Sequence, residues 1–164
     1  LEHPLKIFSH GFPNYEETQE GLAVFAEYMS NHLTVTRLKE LAYRVIAVDS
    51  LAKGSDFSKT FRVWRNQFEL EREQAFYISL RVHRGGGFTT DSLYLTGLKK
   101  IYDRYKRGED LSPLLTGKVS LEYLDVIQAL TDKGFAKPSR FITDAYASNS
   151  NRDETVDFIL NNLK

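Results

Sequence analysis

Apolar residues in this chain recur at three- and four-residue intervals in one segment after another, while runs alternating apolar with polar residues are scarce. A helix gathers side chains on one face at that spacing and a strand does so at every second residue, so the pattern restricts the fold to the all-α class. From Thr18, the stretch TQEGLAVFAEYMSNH places Leu22, Phe25, Ala26 and Met29 on one face. TRLKELAYRVIAVDSLAKG repeats the pattern with Leu38, Leu41, Ala42, Val45, Ile46 and Val48, and stops at Gly54. Residues 56–84 read as one long helix, or as two with a break near Glu69. The apolar positions there include Phe57, Phe61, Trp64, Phe68, Phe76 and Leu80. Gly85, Gly86 and Gly87 then end the helix, because glycine adopts the conformations that terminate helices without steric cost.

The rest of the chain is punctuated in the same way. Thr89, Thr90 or Asp91 is expected to cap DSLYLTGLKKIYDRYKRG, whose basic residues gather at the negative helix end before Gly108. Residues 111–118 contain Pro113 and Gly117 and read as a loop with a short turn. Ser120 is placed to cap SLEYLDVIQALTDKG, and Asn151 followed by Glu154 resembles a capping box for the last helix. KPSRFITDAYASNS, between those two helices, is expected to be irregular. The expected architecture is a single all-α domain over residues 1–164, with about six or seven helices and neither repeat nor linker.

Composition narrows the function classes. Lys plus Arg number 22 against 22 Asp plus Glu, so the net charge is zero and no nucleic-acid or anionic-membrane partner is expected. KKIYDRYKR is basic with interleaved aromatics, and reads as a solvated helix face. The absence of cysteine excludes disulfides, thiolate zinc sites and a cysteine nucleophile. No apolar run approaches the roughly eighteen residues of a membrane span, and LEHPLK is not a signal peptide, so a cytoplasmic location is expected.

Three groups of residues stand out chemically. His3, His10, His32 and His83 are dispersed, and no pair has the i, i+4 spacing of a helical metal site, so each reads as a surface or supporting residue. Glu16, Glu20 and Glu27 can share a helix face, with Glu17 beside them. Gly21, directly after Glu20, costs a helix about 1 kcal/mol relative to alanine, so close backbone approach is expected there. Glu20 then faces a ligand or another helix, or is simply solvated. Arg81 and Arg84 lie i, i+3 before the glycine turn. Their planar guanidinium groups suit a carboxylate or phosphate, or else pair with Glu69, Glu71 or Glu73. Tyr94 offers a hydroxyl to the same region, or sits half-buried in the core.

PLKIFSHGFPNYEETQEGLA followed by FTTDSLYLTGL resembles the bacterial "flavohaemoglobin expression-modulating QEGLA motif" proteins, which are related to the eukaryotic microtubule-associated tyrosine carboxypeptidases. The resemblance runs from about residue 4 to about residue 140. It implies a gluzincin-like zinc peptidase, in which H-E-x-x-H supplies two histidine ligands and a glutamate base. A later glutamate, here Glu20, completes the metal ligands. Gly21 would then let the helix carrying Glu20 pack against the metal-binding helix. The implied substrate is a peptide or protein C-terminus, its carboxylate met by Arg81 and Arg84 and the oxyanion by Tyr94.

The chain departs from the family pattern in having no H-E-x-x-H, and it begins at Leu1 without methionine. It is therefore expected to be the C-terminal part of a longer zinc enzyme, inactive and without stably bound zinc when alone. Its partner would be the missing N-terminal part of the same protein. The face bearing Leu22, Val24 and Phe25 would be left exposed and favour self-association. A helical interaction or regulatory module that never held metal is the alternative from a different class.

Overall fold

The computed structural model describes residues 5–85, 90–137, 139, 144–147 and 153–163, and every regular element among them is helical. In chain order these are α1 (Ile7–His10), α2 (Tyr15–Met29), α3 (Val35–Ala52), α4 (Phe57–Gln67), α5 (Arg72–His83) and α6 (Leu93–Lys106). Two 3-10 turns follow, Ser112–Leu115 and Leu121–Tyr123, and then α7 (Leu124–Asp132), α8 (Asp144–Ala147) and α9 (Glu154–Asn162). The helix reading of the sequence holds, with short elements added where polar segments were read as loop. Thus α8 lies inside the stretch expected to be irregular. The last helix is capped by Asp153, whose carboxylate accepts from the Thr155 and Val156 amides. Asn151, the expected cap, lies outside the described residues, as do His3, Gly86, Gly87 and Thr89.

The chain divides into two compact units. The first comprises Leu1–Val35 and Leu93–Lys164, and the second Thr36–Ser92.

In the first unit α2 packs along α6. The pairs ascend both helices together, from Gly21 beside Gly97 to Tyr28 beside Tyr102, whose ring centroids are 5.3 Å apart. Val24, Phe25, Leu98, Ile101, Leu114, Ile127 and Leu160 are fully buried around this pair. Leu22, Val24 and Phe25, expected to be exposed, are therefore core residues, and the expected self-association face is not formed by them. The Phe25 ring lies 5.3 Å from Tyr105 and 6.0 Å from Tyr146. Polar pins run through the same core. Tyr28 donates to Asp157 Oδ1 at 2.6 Å, Tyr102 to Asn161 Oδ1 at 3.1 Å, and the Leu121 amide to Thr18 Oγ1 at 2.8 Å.

Burial pushes two tyrosines of this unit up to about 12. For Tyr102 the negative charge of Asp157 adds to desolvation, and for Tyr146 desolvation alone acts. A phenol whose folded pKa exceeds its unfolded value stabilises the fold fully below the unfolded pKa, and that contribution is lost as pH rises through the folded one. Alkaline titration followed by tyrosinate absorbance should therefore show two late-ionising tyrosines, with unfolding between about pH 10 and 12. A single transition at the ordinary phenol pKa would contradict the burial of these two side chains.

In the second unit α3, α4 and α5 close on a core of Ala47, Trp64, Leu70, Ala75 and Val82. Tyr43, Ile46, Phe61 and Ile78 pack on its edge. Of the two readings of residues 56–84, the structure has the broken helix: α4 ends at Gln67, Glu69 takes a left-handed φ of 54°, and α5 begins at Arg72. The Arg65 guanidinium and the Leu70 carbonyl bridge this turn. Asp56 caps α4 by accepting from the Lys59 amide at 2.7 Å. Phe76 and Leu80, on the apolar pattern of α5, are exposed, as is Tyr77.

Candidate functional site

The QEGLA segment occupies the middle of α2, and its glycine lies at a backbone-to-backbone contact. A Cβ built on Gly21 would stand 2.4 Å from the Gly97 carbonyl carbon, and one on Gly97 would stand 2.2 Å from the Glu17 carbonyl oxygen. No side chain fits between the helices at this crossing. The close approach expected at Gly21 is therefore real, but its partner is α6 of this same chain rather than a helix bearing metal ligands. That corrects the reading carried by the resemblance.

Glu20 follows from the same register. With Gly21 turned toward α6, Glu20 is half-buried on the flank it shares with Glu16 and Glu27. Its neighbour Glu17 is drawn across the crossing instead, and accepts from Lys100 Nζ at 2.6 Å. Gln19 donates from Nε2 to the Gly117 carbonyl at 3.3 Å. A cavity of about 590 Å³ opens along this side of α2, walled by Leu22, Ala23 and Ala26 together with Phe8, Leu114 and Tyr146. Gly117 gives the chain room here, since a Cβ on it would meet the Phe8 carbonyl oxygen at 2.7 Å. The segment carrying Phe8 is tied down on both sides, by Lys118 N donating to Phe8 O and Phe12 N to Lys118 O, each at 2.9 Å.

Tyr94 belongs to the first unit, half-buried on α6 one turn before Gly97. Arg81 and Arg84 belong to the second. They line one cavity of about 390 Å³, with Arg44, Gln74 and Tyr77 among its other walls. Arg81 does not pair with Glu69, Glu71 or Glu73. Its Nε donates to Asp91 Oδ1 at 2.5 Å, and the Asp91 side chain is only 7% exposed. A buried carboxylate thus fixes one edge of the Arg81 guanidinium. The sequence marks Asp91 only as a possible helix cap and gives no signal for Arg44, because each meets its partner or cavity through residues distant in the chain.

His83 Nε2 lies 3.0 Å from Thr60 Oγ1, His10 Nδ1 3.0 Å from the Lys6 carbonyl oxygen, and His32 Nδ1 3.1 Å from Ser30 Oγ. Among the described residues, no three His, Cys, Asp or Glu side chains converge as a metal-binding group. Zinc centres in enzymes take three protein ligands and leave one position open. The described residues do not build such a centre by themselves.

Comparison with known families adds one finding. A family model described as microtubule-associated tyrosine carboxypeptidase matches residues 2–164, which is almost the entire chain. No curated protein and no solved structure matches it.

Proposed function

The chain belongs to the microtubule-associated tyrosine carboxypeptidase family, and from that membership we propose that it is one portion of a zinc-dependent carboxypeptidase, to which it contributes Glu20 as a metal ligand. The observation that carries the proposal is the placement of Glu20. It is half-buried beside a helix crossing at which Gly21 and Gly97 touch through their backbones. A metal ligand must be held to within a fraction of an ångström, and a backbone contact fixes a helix register more rigidly than side-chain packing does. The remaining ligands and the general base would come from an H-E-x-x-H segment, which this sequence does not contain. When bound, zinc would polarise the scissile carbonyl and lower the pKa of a bound water.

The chain's own residues have three further tasks in this reading. Arg81 and Arg84 would meet the substrate's terminal carboxylate, a role supported by the arginine-lined cavity of the second unit. Asp91 would hold Arg81 in place, leaving its terminal amino groups to the ligand. Tyr94 would donate its hydroxyl to the developing oxyanion.

The test compares the chain alone with a product that carries H-E-x-x-H together with it. The expected result is no retained zinc and no hydrolysis for the chain alone, and both for the longer product. There, Glu20→Gln should lower zinc affinity by more than the roughly 10–100-fold that altering a group behind a ligand costs. Its thermal stability without metal should be unchanged. Zinc binding indifferent to Glu20 would sink the proposal and favour a helical interaction module instead.

A further inference from the structure

The chain is neutral as a whole, but its charge is divided unevenly. Residues 36–92, the second unit, carry ten Lys and Arg against seven Asp and Glu. Three of those cations, Arg44, Arg81 and Arg84, line the cavity of about 390 Å³ walled by α3, α5 and the first residue beyond α5. The acidic residue on its wall is Glu40, whose carboxylate has the Arg37 guanidinium 3.8 Å away. Three like charges around one space repel one another, and an anion in that space relieves the repulsion.

Arg81 is also fixed in the manner of a ligand-binding group. Its Nε is taken by the buried Asp91 carboxylate, which leaves the two terminal nitrogens to other acceptors. One carboxylate is satisfied by one such fork, so the convergence of three guanidinium groups calls for a more highly charged partner. A phosphate monoester carries close to two negative charges at neutral pH and three strong acceptor oxygens. Gln74 adds an amide donor on the same wall. Tyr77 is 61% exposed and Leu80 39%, and both line the cavity, so an organic substituent has apolar surface to lie on. Inorganic phosphate would leave that surface bare.

We propose that this cavity binds a small organic phosphate monoester, with Arg44, Arg81 and Arg84 around the phosphate and Tyr77 and Leu80 against the substituent. The site lies wholly within the second unit and needs no metal, so it goes beyond the peptidase reading. It shares Arg81 and Arg84 with that reading. A bound ester therefore contends with a substrate's terminal carboxylate for the same two groups.

The experiment uses the chain as it exists, without metal, and titrates butyl phosphate, pentanoate and inorganic phosphate by calorimetry and protein NMR. Butyl phosphate should bind about tenfold more tightly than pentanoate, which has the same alkyl chain, the worth of one further hydrogen bond to a charged group. It should bind about fivefold more tightly than inorganic phosphate, and it alone of these two should shift the Tyr77 and Leu80 side-chain resonances. Arg44→Gln and Arg84→Gln should each weaken butyl phosphate by about tenfold. Arg84 is exposed, so its replacement leaves the fold intact and keeps the test decisive. Tyr77→Ala should bring butyl phosphate down toward the affinity of inorganic phosphate. Equal binding of butyl phosphate and pentanoate, affinity indifferent to both arginines, or no binding at all would overturn the proposal. So would tighter binding of a dipeptide of two glutamates, which would make the cavity a groove for acidic chains. Since no hydrolysis is measured, failure here leaves the test of Glu20 untouched, and a failed zinc assay leaves this result standing.

Discussion

Gly97→Ala is expected to destabilise the first unit by about 3 kcal/mol, at the upper end of the usual cost of overpacking. The sign makes this a sharp test. Alanine is the better helix former by about 1 kcal/mol, so a glycine tolerated by accident in α6 would give a more stable variant. The contact predicts the reverse, because the new Cβ would stand 2.2 Å from the Glu17 carbonyl oxygen and 3.0 Å from Gly21 Cα. Both are backbone atoms and cannot rotate away. Relief requires the helices to separate, which would loosen the buried layer of Phe25, Leu98 and Ile101. Gly54→Ala serves as the reference, since its φ of +80° is strained for alanine but a Cβ there meets nothing within 4 Å. Its cost should stay at about 1–2 kcal/mol. Urea unfolding of the three proteins, followed by circular dichroism, measures both differences. A Gly97→Ala variant as stable as the parent would mean that the helices do not touch as described.

The second large effect is in the other unit. Trp64→Ala is expected to cost about 3–5 kcal/mol, the usual loss for deleting a fully buried aromatic side chain. Trp64 is wholly enclosed, with Phe68 5.2 Å and Tyr43 5.7 Å away between ring centroids. Domain stability is about 0.05–0.15 kcal/mol per residue, so a unit of this size should lose most of its order. Trp64→Phe is more informative still. It removes volume, but it also removes an indole N–H that is buried without a hydrogen-bond partner. Shedding an unsatisfied donor offsets part of the packing loss, and the variant should lie within about 2 kcal/mol of the parent. Amide exchange across α3, α4 and α5 separates the cases: fast throughout in Trp64→Ala, and nearly unchanged in Trp64→Phe. Equal losses in both variants would show that the indole nitrogen is satisfied.

How far these features could be foreseen depends on whether their cause is local. The break at Glu69 is only half legible: the sequence admits one long helix or two, and the left-handed φ of Glu69 decides for two. The close approach at Gly21 was legible as a need, since glycine inside a helix calls for a reason. Its partner was not, because Gly97 is an unremarked residue in LTGL and only the folded pair makes sense of either. The burial of Leu22, Val24 and Phe25 was missed for a related cause. A missing helix was assigned to cover them, whereas α6 and the rings of Tyr105 and Tyr146 already do so. The sequence marks Arg81 as a candidate anion binder and Asp91 only as one of three possible helix caps. Their pairing spans the turn after α5, and helical spacing carries no information about that.

The division of the chain has a consequence for the order in which the molecule can assemble. The first unit is interrupted: its chain leaves at Val35 and resumes at Leu93, while residues 36–92 form the second unit without a gap. During synthesis α2 emerges before the second unit, and the glycine it must meet lies in a helix translated only after that unit. The inserted unit can therefore condense on its own contacts while α2 waits with Leu22, Val24 and Phe25 unsheltered. A nascent chain stalled before Leu93 would display that apolar stripe, and its binding to a ribosome-associated chaperone should end once α6 clears the ribosome.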